Sequence, residues 1–304
     1  MSTPSNSGRQ AIRTAVVGFG TGGQVFHAPL IAANAHYSLD VVVTADQVRR
    51  RQAIQSYPGV RVVGSSEELF AMADQLDLVV VSTPPASHHE IARGVIRQGL
   101  SVVVDKPFVV HSADGAELLE EAAAANVGVD QGGGILFDLG PHLIDQAVTL
   151  FGPVTSTHAE LTRYRSGPGA DDEAFVSLEH AGGIRTHAAM SSLAPVERPR
   201  FTLLGSQAGF TKWGLDIQES QLKAGLSPLA SEYGREPEQG WGRLGLRENQ
   251  QVVETEPGVY PEFYTQLAAA LLDGAPLPVD PAESLAVIRL IEGIYSSTAI
   301  RTQT

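Results

Sequence analysis

The sequence predicts a doubly wound parallel α/β sheet followed by an α+β domain with an open, mainly antiparallel sheet. Six short, valine-rich runs alternate with helical segments through the first 130 residues. A glycine-rich turn, Gly18-Phe19-Gly20-Thr21-Gly22-Gly23, follows the first of those runs. After Gly134 the extended runs lengthen and begin to alternate in polarity. Short, nearly continuous apolar strands are how a parallel sheet buried on both faces reads, whereas alternation marks a sheet with one wet face.

The elements follow in order. Residues 14–17, 39–43, Arg61–Val63, 76–81, Ser101–Val104 and 127–129 are the six apolar runs. Ser65-Ser66-Glu67-Glu68 and Ser87-His88-His89-Glu90 both fit a capping box. Gly99 and Asn126 stand where helices stop. Six βα units make a doubly wound sheet. A helix follows over 134–151, then extended runs at Val154–Arg163, Glu173–His180, 184–190, Phe201–Leu204 and 210–212. Ala181-Gly182-Gly183 and residues 205–209 are read as hairpin turns. Residues 220–258 are polar and rich in Gly and Pro, which predicts a surface loop. Helices over 261–272 and 281–301 close the chain, the second with Asp280 as cap, Pro281 first and Glu283 third. The division falls at 130: a dinucleotide-binding domain over 1–130, and a substrate and oligomerisation domain over 131–304 whose last helix packs back on the first.

Composition narrows the classes. A chain of 304 residues is comfortable for two domains. Hydrophobic residues at 43% against 18% charged describe a globular protein. A net charge of −13 argues against nucleic acid or an anionic membrane as partner. With no cysteine there is no disulfide, thiolate metal site or cysteine nucleophile, which fits a cytoplasmic setting. The first ten residues are polar and no apolar run reaches membrane-spanning length.

The chemistry lies at three places. Gly18, Gly20 and Gly23 match G-x-G-x-x-G between a strand and a helix, the Rossmann arrangement that sets a pyrophosphate on helix N-terminal amides. The second strand ends in Thr44 rather than a carboxylate; Asp46 comes late and Arg49-Arg50-Arg51 follow. A hydroxyl with nearby arginines accommodates a 2′-phosphate, so NADP is preferred over NAD, with a solvated helix face the equal reading of the arginines. Ser82, Thr83, Pro84 and Pro85 follow the fourth strand on the crevice edge, with His88 opening the next helix. Asp105 and Lys106 end the fifth strand on the same edge, and the peptide before Pro107 is a candidate for cis. Asp138 and His142 stand four apart on one helical face among Leu136, Leu139, Leu143 and Ile144, which predicts a buried pair; Asp145 lies three beyond. Lysine, histidine and carboxylate together can remove a hydroxyl proton while hydride leaves the same carbon. The other histidines do not cluster, and no metal site is expected.

These residues identify a family. The glycine loop, Thr83-Pro84-Pro85-Ala86-Ser87-His88, Asp105-Lys106-Pro107 and Gly132 to His142 resemble the glucose–fructose oxidoreductase, inositol dehydrogenase and rhizopine catabolism (Gfo/Idh/MocA) family over nearly the whole chain. Asp171-Asp172 and Lys212 to Glu219 are most similar to the scyllo-inositol dehydrogenase (NADP⁺) branch. The resemblance implies a nicotinamide-dependent oxidoreductase acting on a secondary alcohol of a cyclic polyol or sugar, with Lys106, Asp138 and His142 as its catalytic residues and a homo-oligomer, dimer or tetramer, as its state. Asp105 stands where the family usually has glutamate. Several dozen residues that the family carries between the sixth strand and the glycine triplet are absent, because 127–130 runs straight into Gln131 and Gly132. Two rival readings share the fold: a non-catalytic nucleotide-binding regulator or impaired relative, and an NAD-dependent glycoside hydrolase.

Overall fold

The computed structural model describes residues 11–125, 134–165 and 170–302. Its first five strands are β1 (Ile12–Val17), β2 (Tyr37–Val43), β3 (Arg61–Val63), β4 (Leu78–Val81) and β5 (Ser101–Val104). The helices around them are α1 (Ala28–Ala33), α2 (Gln47–Ser56), α3 (Ser66–Phe70), α4 (His88–Arg97) and α5 (Ser112–Ala125). The strands form one sheet in the order β3-β2-β1-β4-β5. It is parallel at β2 with β3, β1 with β4 and β4 with β5. All four residues of β4 are completely buried, as a strand covered on both faces requires. The chain steps outward through β2 and β3, then returns to lay β4 on the other side of β1. A ligand crevice opens beyond the carboxyl ends of the strands at such a reversal. The sixth run, 127–129, and Asn126 lie outside the described residues.

Local chemistry explains the boundaries. Gly99, at φ +73°, follows the end of α4, and its N–H reaches the Ile96 carbonyl. Ser65 caps α3 by accepting from the Glu68 N–H, but Glu68 answers to the Gly64 N–H, so the reciprocal box is shifted by one residue. Ser87 makes no cap. Its hydroxyl turns back to Thr83 Oγ1 and the Pro84 carbonyl, and the expected box there does not form.

Helix α6 (Ile135–Phe151) starts after Gly134 at φ +99°. It buries the stripe Leu136, Phe137, Gly140, Ile144 and Ala147. That stripe packs on an antiparallel run of β6 (Val154–Arg163), β7 (Glu173–His180) and β8 (Arg185–Ser191), where β7 buries every second residue. Further on lie β9 (Phe201–Leu204), β10 (Gly209–Lys212), α7 (Gln218–Lys223), β11 (Gly242–Leu246), β12 (Asn249–Val253), α8 (Tyr260–Asp273), α9 (Pro281–Ser297) and β13 (Ile300–Thr302).

Three expectations change here. The single open sheet is two: a mixed one ordered β13-β6-β7-β8 and an antiparallel one ordered β12-β11-β10-β9. Residues 220–258 are not all loop, since they hold most of α7 and the β11–β12 hairpin. The last helix does not reach Arg301. It ends at Ser297, Thr298 turns extended, and β13 pairs with β6 in parallel.

The chain clusters into two compact units. The larger holds Ile12–Gly23, Leu39–Ala194 and Val279–Thr304. Its core runs continuously from the parallel sheet through α6 and β7 to Leu285, Ile288, Ile291 and Ile294 of α9. Within it α9 also packs on α5, where Glu292 accepts from the Ser112 N–H. The smaller unit holds Gln24–Ser38 and Pro195–Pro278, among other residues. There α1 packs on α8 around the buried Tyr264: His27 Nδ1 lies 2.8 Å from its hydroxyl, and the Tyr37 hydroxyl donates to its carbonyl.

Candidate active site

The glycine loop is built by exclusion. Gly18, at φ +93°, donates its N–H to the Val43 carbonyl; a β-carbon there would stand 2.3 Å from the Ser82 carbonyl oxygen. A β-carbon on Gly23 would stand 2.0 Å from the Gly18 oxygen, so the loop closes on the helical turn only with glycine. At Gly22 the obstacles are Ser82 Oγ at 2.2 Å and Asp105 Oδ2 at 2.3 Å. Gly20 is different: the nearest atom to its β position is Arg49 Nη1 at 3.8 Å. The tight packing therefore lies at Gly18, Gly22 and Gly23, and Gly20 keeps an open surface with one guanidinium beside it. Thr21 is exposed, whereas Phe19 is buried edge-on against Tyr57, so only its backbone is available to a ligand.

The end of β2 reads out a cofactor's ribose in this architecture. Thr44 is buried and its hydroxyl accepts from the Asp46 N–H. Asp46 caps α2, accepting from the Arg49 and Val48 N–H groups, which hold its carboxyl below the usual range. It is therefore a helix cap. Arg50 donates to the Val62 carbonyl and serves the fold. Arg49 is placed beside the glycine loop.

The crevice edge is cross-braced. Ser82 Oγ donates to Asp105 Oδ2 at 2.8 Å, and Asp105 Oδ1 accepts from the Lys106 N–H at 2.8 Å. One carboxylate thus joins the end of β4 to the lysine loop. The Lys106–Pro107 peptide is cis. Thr83 and Pro84 are held by Ser87, and Pro85 opens the short turn before α4. His88 is only 1% exposed, with Nε2 2.7 Å from the Thr83 carbonyl, so it shapes this loop and does not present its ring to a ligand.

Lys106 Nζ donates to Asp138 Oδ1 at 2.7 Å and to the Asp138 carbonyl at 3.3 Å. The expected burial is corrected: Asp138 and His142 are exposed, and Leu139 beside them is 36% exposed. The side chains of Lys106 and Asp138 are 43% and 62% exposed. A pair that wet adds at most about 1 kcal/mol to stability. Its use is to hold an ammonium and a carboxylate at one place. His142 is one helical turn beyond Asp138 on that face. Asp145 is exposed as well, yet partial desolvation raises its carboxyl, with His142 drawing it back.

Two residues that the sequence reading did not place at the site adjoin it. Asp171 and Tyr295 meet at the start of α6, where Asp171 Oδ2 accepts from the Leu136 N–H at 2.9 Å and Oδ1 from the Tyr295 hydroxyl. Asp171 is legible only as half of an acidic doublet. Asp172 is turned away, capping the Tyr164 and Arg165 N–H groups, the first of which does most to lower its carboxyl.

Sequence models of one family match both halves of the chain: its NAD-binding Rossmann fold over residues 12–132 and its C-terminal alpha/beta domain over residues 118–303. The chain belongs to the Gfo/Idh/MocA oxidoreductase family. Among relatives, the oxidoreductase YdgJ of Escherichia coli K12 is 31% identical over 347 residues, covering 94% of this chain and 96% of its own. The scyllo-inositol 2-dehydrogenase (NADP⁺) IolW of Bacillus subtilis is 26% identical over 340 residues, covering 94% of each. The solved structure of yvaA from Bacillus subtilis agrees at TM-score 0.87 and 26% identity, over 95% of this chain and 96% of the other. Both curated matches run over more positions than the 304 residues of this Gfo/Idh/MocA chain, so they carry internal residues that it lacks.

Proposed function

We propose that the chain is an NADP(H)-preferring oxidoreductase that moves hydride between nicotinamide and a secondary alcohol of a cyclic polyol or sugar. The observation that carries this reading is the Lys106–Asp138 pair at 2.7 Å, on a helix that presents His142 one turn later. The glycine loop fits the nucleotide: Gly20 leaves an open surface where Arg49 reaches, and Thr44 stands at the end of β2 in place of a carboxylate. Gly18, Gly20, Gly23, Thr44 and Arg49 would hold the nucleotide, with Ser82 to Pro85 along the same edge. When bound, the nicotinamide supplies the hydride acceptor or donor.

The remaining chemistry is the chain's own. His142 takes the hydroxyl proton of the alcohol as hydride leaves its carbon. The Lys106 ammonium stabilises the negative charge that develops on that oxygen. Asp138 holds the ammonium in place and compensates its charge. Asp105 and Ser82 fix the loop that carries Lys106. NADP⁺ in IolW's printed name, together with Thr44 and Arg49 here, supports the phosphorylated cofactor. The boundary at residue 130, a homo-oligomeric state and a cytoplasmic setting belong to the same proposal. With fewer residues before α6 than longer relatives carry, the alcohol is expected to meet more water, which weakens alkoxide stabilisation, so slow turnover is expected.

The test is a fluorescence titration with NADPH and NADH, followed by absorbance assays on a panel of inositols and aldoses. Tighter NADPH binding and slow oxidation of at least one cyclic alcohol are expected. Binding of neither nucleotide would overturn the reading, and equal or tighter NADH binding would overturn the preference.

A further inference from the structure

The N-terminal turn of α6 has an unusual set of partners. A helix leaves its first N–H groups without intrahelical acceptors. Here Asp171 takes two of them: its carbonyl accepts from the Ile135 N–H at 3.1 Å and its Oδ2 from the Leu136 N–H at 2.9 Å. The Tyr295 hydroxyl donates to the other carboxylate oxygen at 2.5 Å. The next N–H, that of Asp138, reaches the Gly134 carbonyl at 2.7 Å. Of these N–H groups the Asp171 carbonyl holds that of Ile135, the Asp171 carboxylate that of Leu136 and the Gly134 carbonyl that of Asp138, with the Tyr295 phenol bracing the carboxylate.

The assembly is rigid. Asp171 is 4% exposed, and the Tyr295 ring lies flat on Phe137 with centroids 5.2 Å apart and planes 16° from parallel. Burial, and then the bond to Asp171, push the Tyr295 phenol well above its ordinary range, so it remains a donor at any physiological pH. Gly134 completes it: a β-carbon there would stand 2.7 Å from both Asp171 Oδ1 and Tyr295 Oη. A buried carboxylate aimed at helix amides also complements the helix dipole. All of this converges on the residue immediately after the clamped turn, Asp138, which holds Lys106.

We propose that Asp171 and Tyr295 are positioning residues for the hydride-transfer centre: they set the first turn of α6 and thereby fix Asp138 against the Lys106 ammonium. Neither touches a reacting atom. The proposal rests on the assignment of Lys106 and Asp138 given above, and its test separates the two. The chain has three lysines, at 106, 212 and 223, and each is ion-paired, with Asp138, Glu236 and Glu219 respectively. Protein labelled with ¹⁵N-lysine thus offers three Nζ resonances, two of them built-in controls.

In Asp171→Asn and Tyr295→Phe the Lys106 resonance is expected to move toward its position in Asp138→Asn, while those of Lys212 and Lys223 stay fixed. With the most active alcohol of the panel and NADP⁺, kcat is expected to fall about tenfold in Asp171→Asn with KM and NADPH affinity within about twofold, as for a displaced but intact catalytic group. Tyr295→Phe keeps the ring stack, and it decides the question if Asp171→Asn does not fold. A Lys106 resonance unmoved in folded Tyr295→Phe would overturn the proposal. So would a kcat unchanged from wild type in the same variant. A wild type that turns over no alcohol overturns the functional reading instead, and the resonance still reports on the clamp.

Discussion

On the roles proposed for Lys106, Asp138 and His142, their substitutions separate. Lys106→Met and His142→Ala are each expected to lower hydride transfer at least about 100-fold, as for a lost acid–base group, with NADPH affinity nearly unchanged. Asp138→Asn should cost less, because it orients the ammonium and accepts no proton from the alcohol. Single-turnover absorbance checks all three. Arg49→Ala should weaken NADPH about tenfold or more while leaving NADH nearly untouched, as expected for one lost charge-assisted bond. Parallel titrations decide it. Asp145 gives a pH prediction with a definite sign. Its carboxyl is raised by partial desolvation although the residue keeps an exposed face, so a small contribution to stability is present in acid and is lost as pH rises through the folded value. Asp145→Asn is therefore expected to raise Tm at pH 7 and to change it little near pH 3, which thermal melts at the two pH values would show. Much at this scale was legible: Lys106 follows an apolar strand, and Asp138 and His142 share a helical spacing. Asp171 was not, because it lies far in sequence from the helix it caps and no local pattern marks it. The exposure of Asp138 was misread because Leu136 and Ile144 are buried on the opposite stripe of the same helix.

Elements were legible where burial imposes a period. The strands Arg61–Val63, Ser101–Val104, Val154–Arg163 and Glu173–His180 stand where their apolar runs stand, since a slip by one residue would turn the buried side chains out. The β11–β12 hairpin was not legible. Four of the five β12 residues are exposed, and Gly242 in β11 is glycine because the Phe210 ring occupies its β position, at 2.3 Å. A strand that pairs through backbone and borrows a neighbour's ring shows no alternation of its own. Two predictions belong here. Gly23→Ala should abolish nucleotide binding or folding, because the added carbon meets the Gly18 carbonyl and nothing in that backbone contact is flexible. Asp280→Ala removes the cap on α9 that accepts from the Ala282 N–H, and is expected to cost about 1 kcal/mol in chemical denaturation without altering NADPH affinity.

On the proposed reading, the molecule as a whole keeps its nucleotide half and lacks residues that longer relatives carry before α6. Curated relatives align over up to 366 positions against a chain of 304 residues. The glycine loop, the Ser82–Asp105 brace and the Lys106 loop contact one another directly at the edge of the parallel sheet. Nucleotide affinity should therefore be ordinary, while alcohol turnover should be slow and self-association weaker than in longer relatives; light scattering across protein concentration measures the latter. The most direct test of the central claim is a single-turnover experiment with enzyme in excess over NADP⁺, run on the inositol and aldose panel for wild type and Lys106→Met side by side. Slow formation of NADPH with at least one cyclic alcohol, abolished in Lys106→Met while NADPH still binds, is the result expected. No reduction by wild type with any alcohol, or equal reduction by the two proteins, would contradict it.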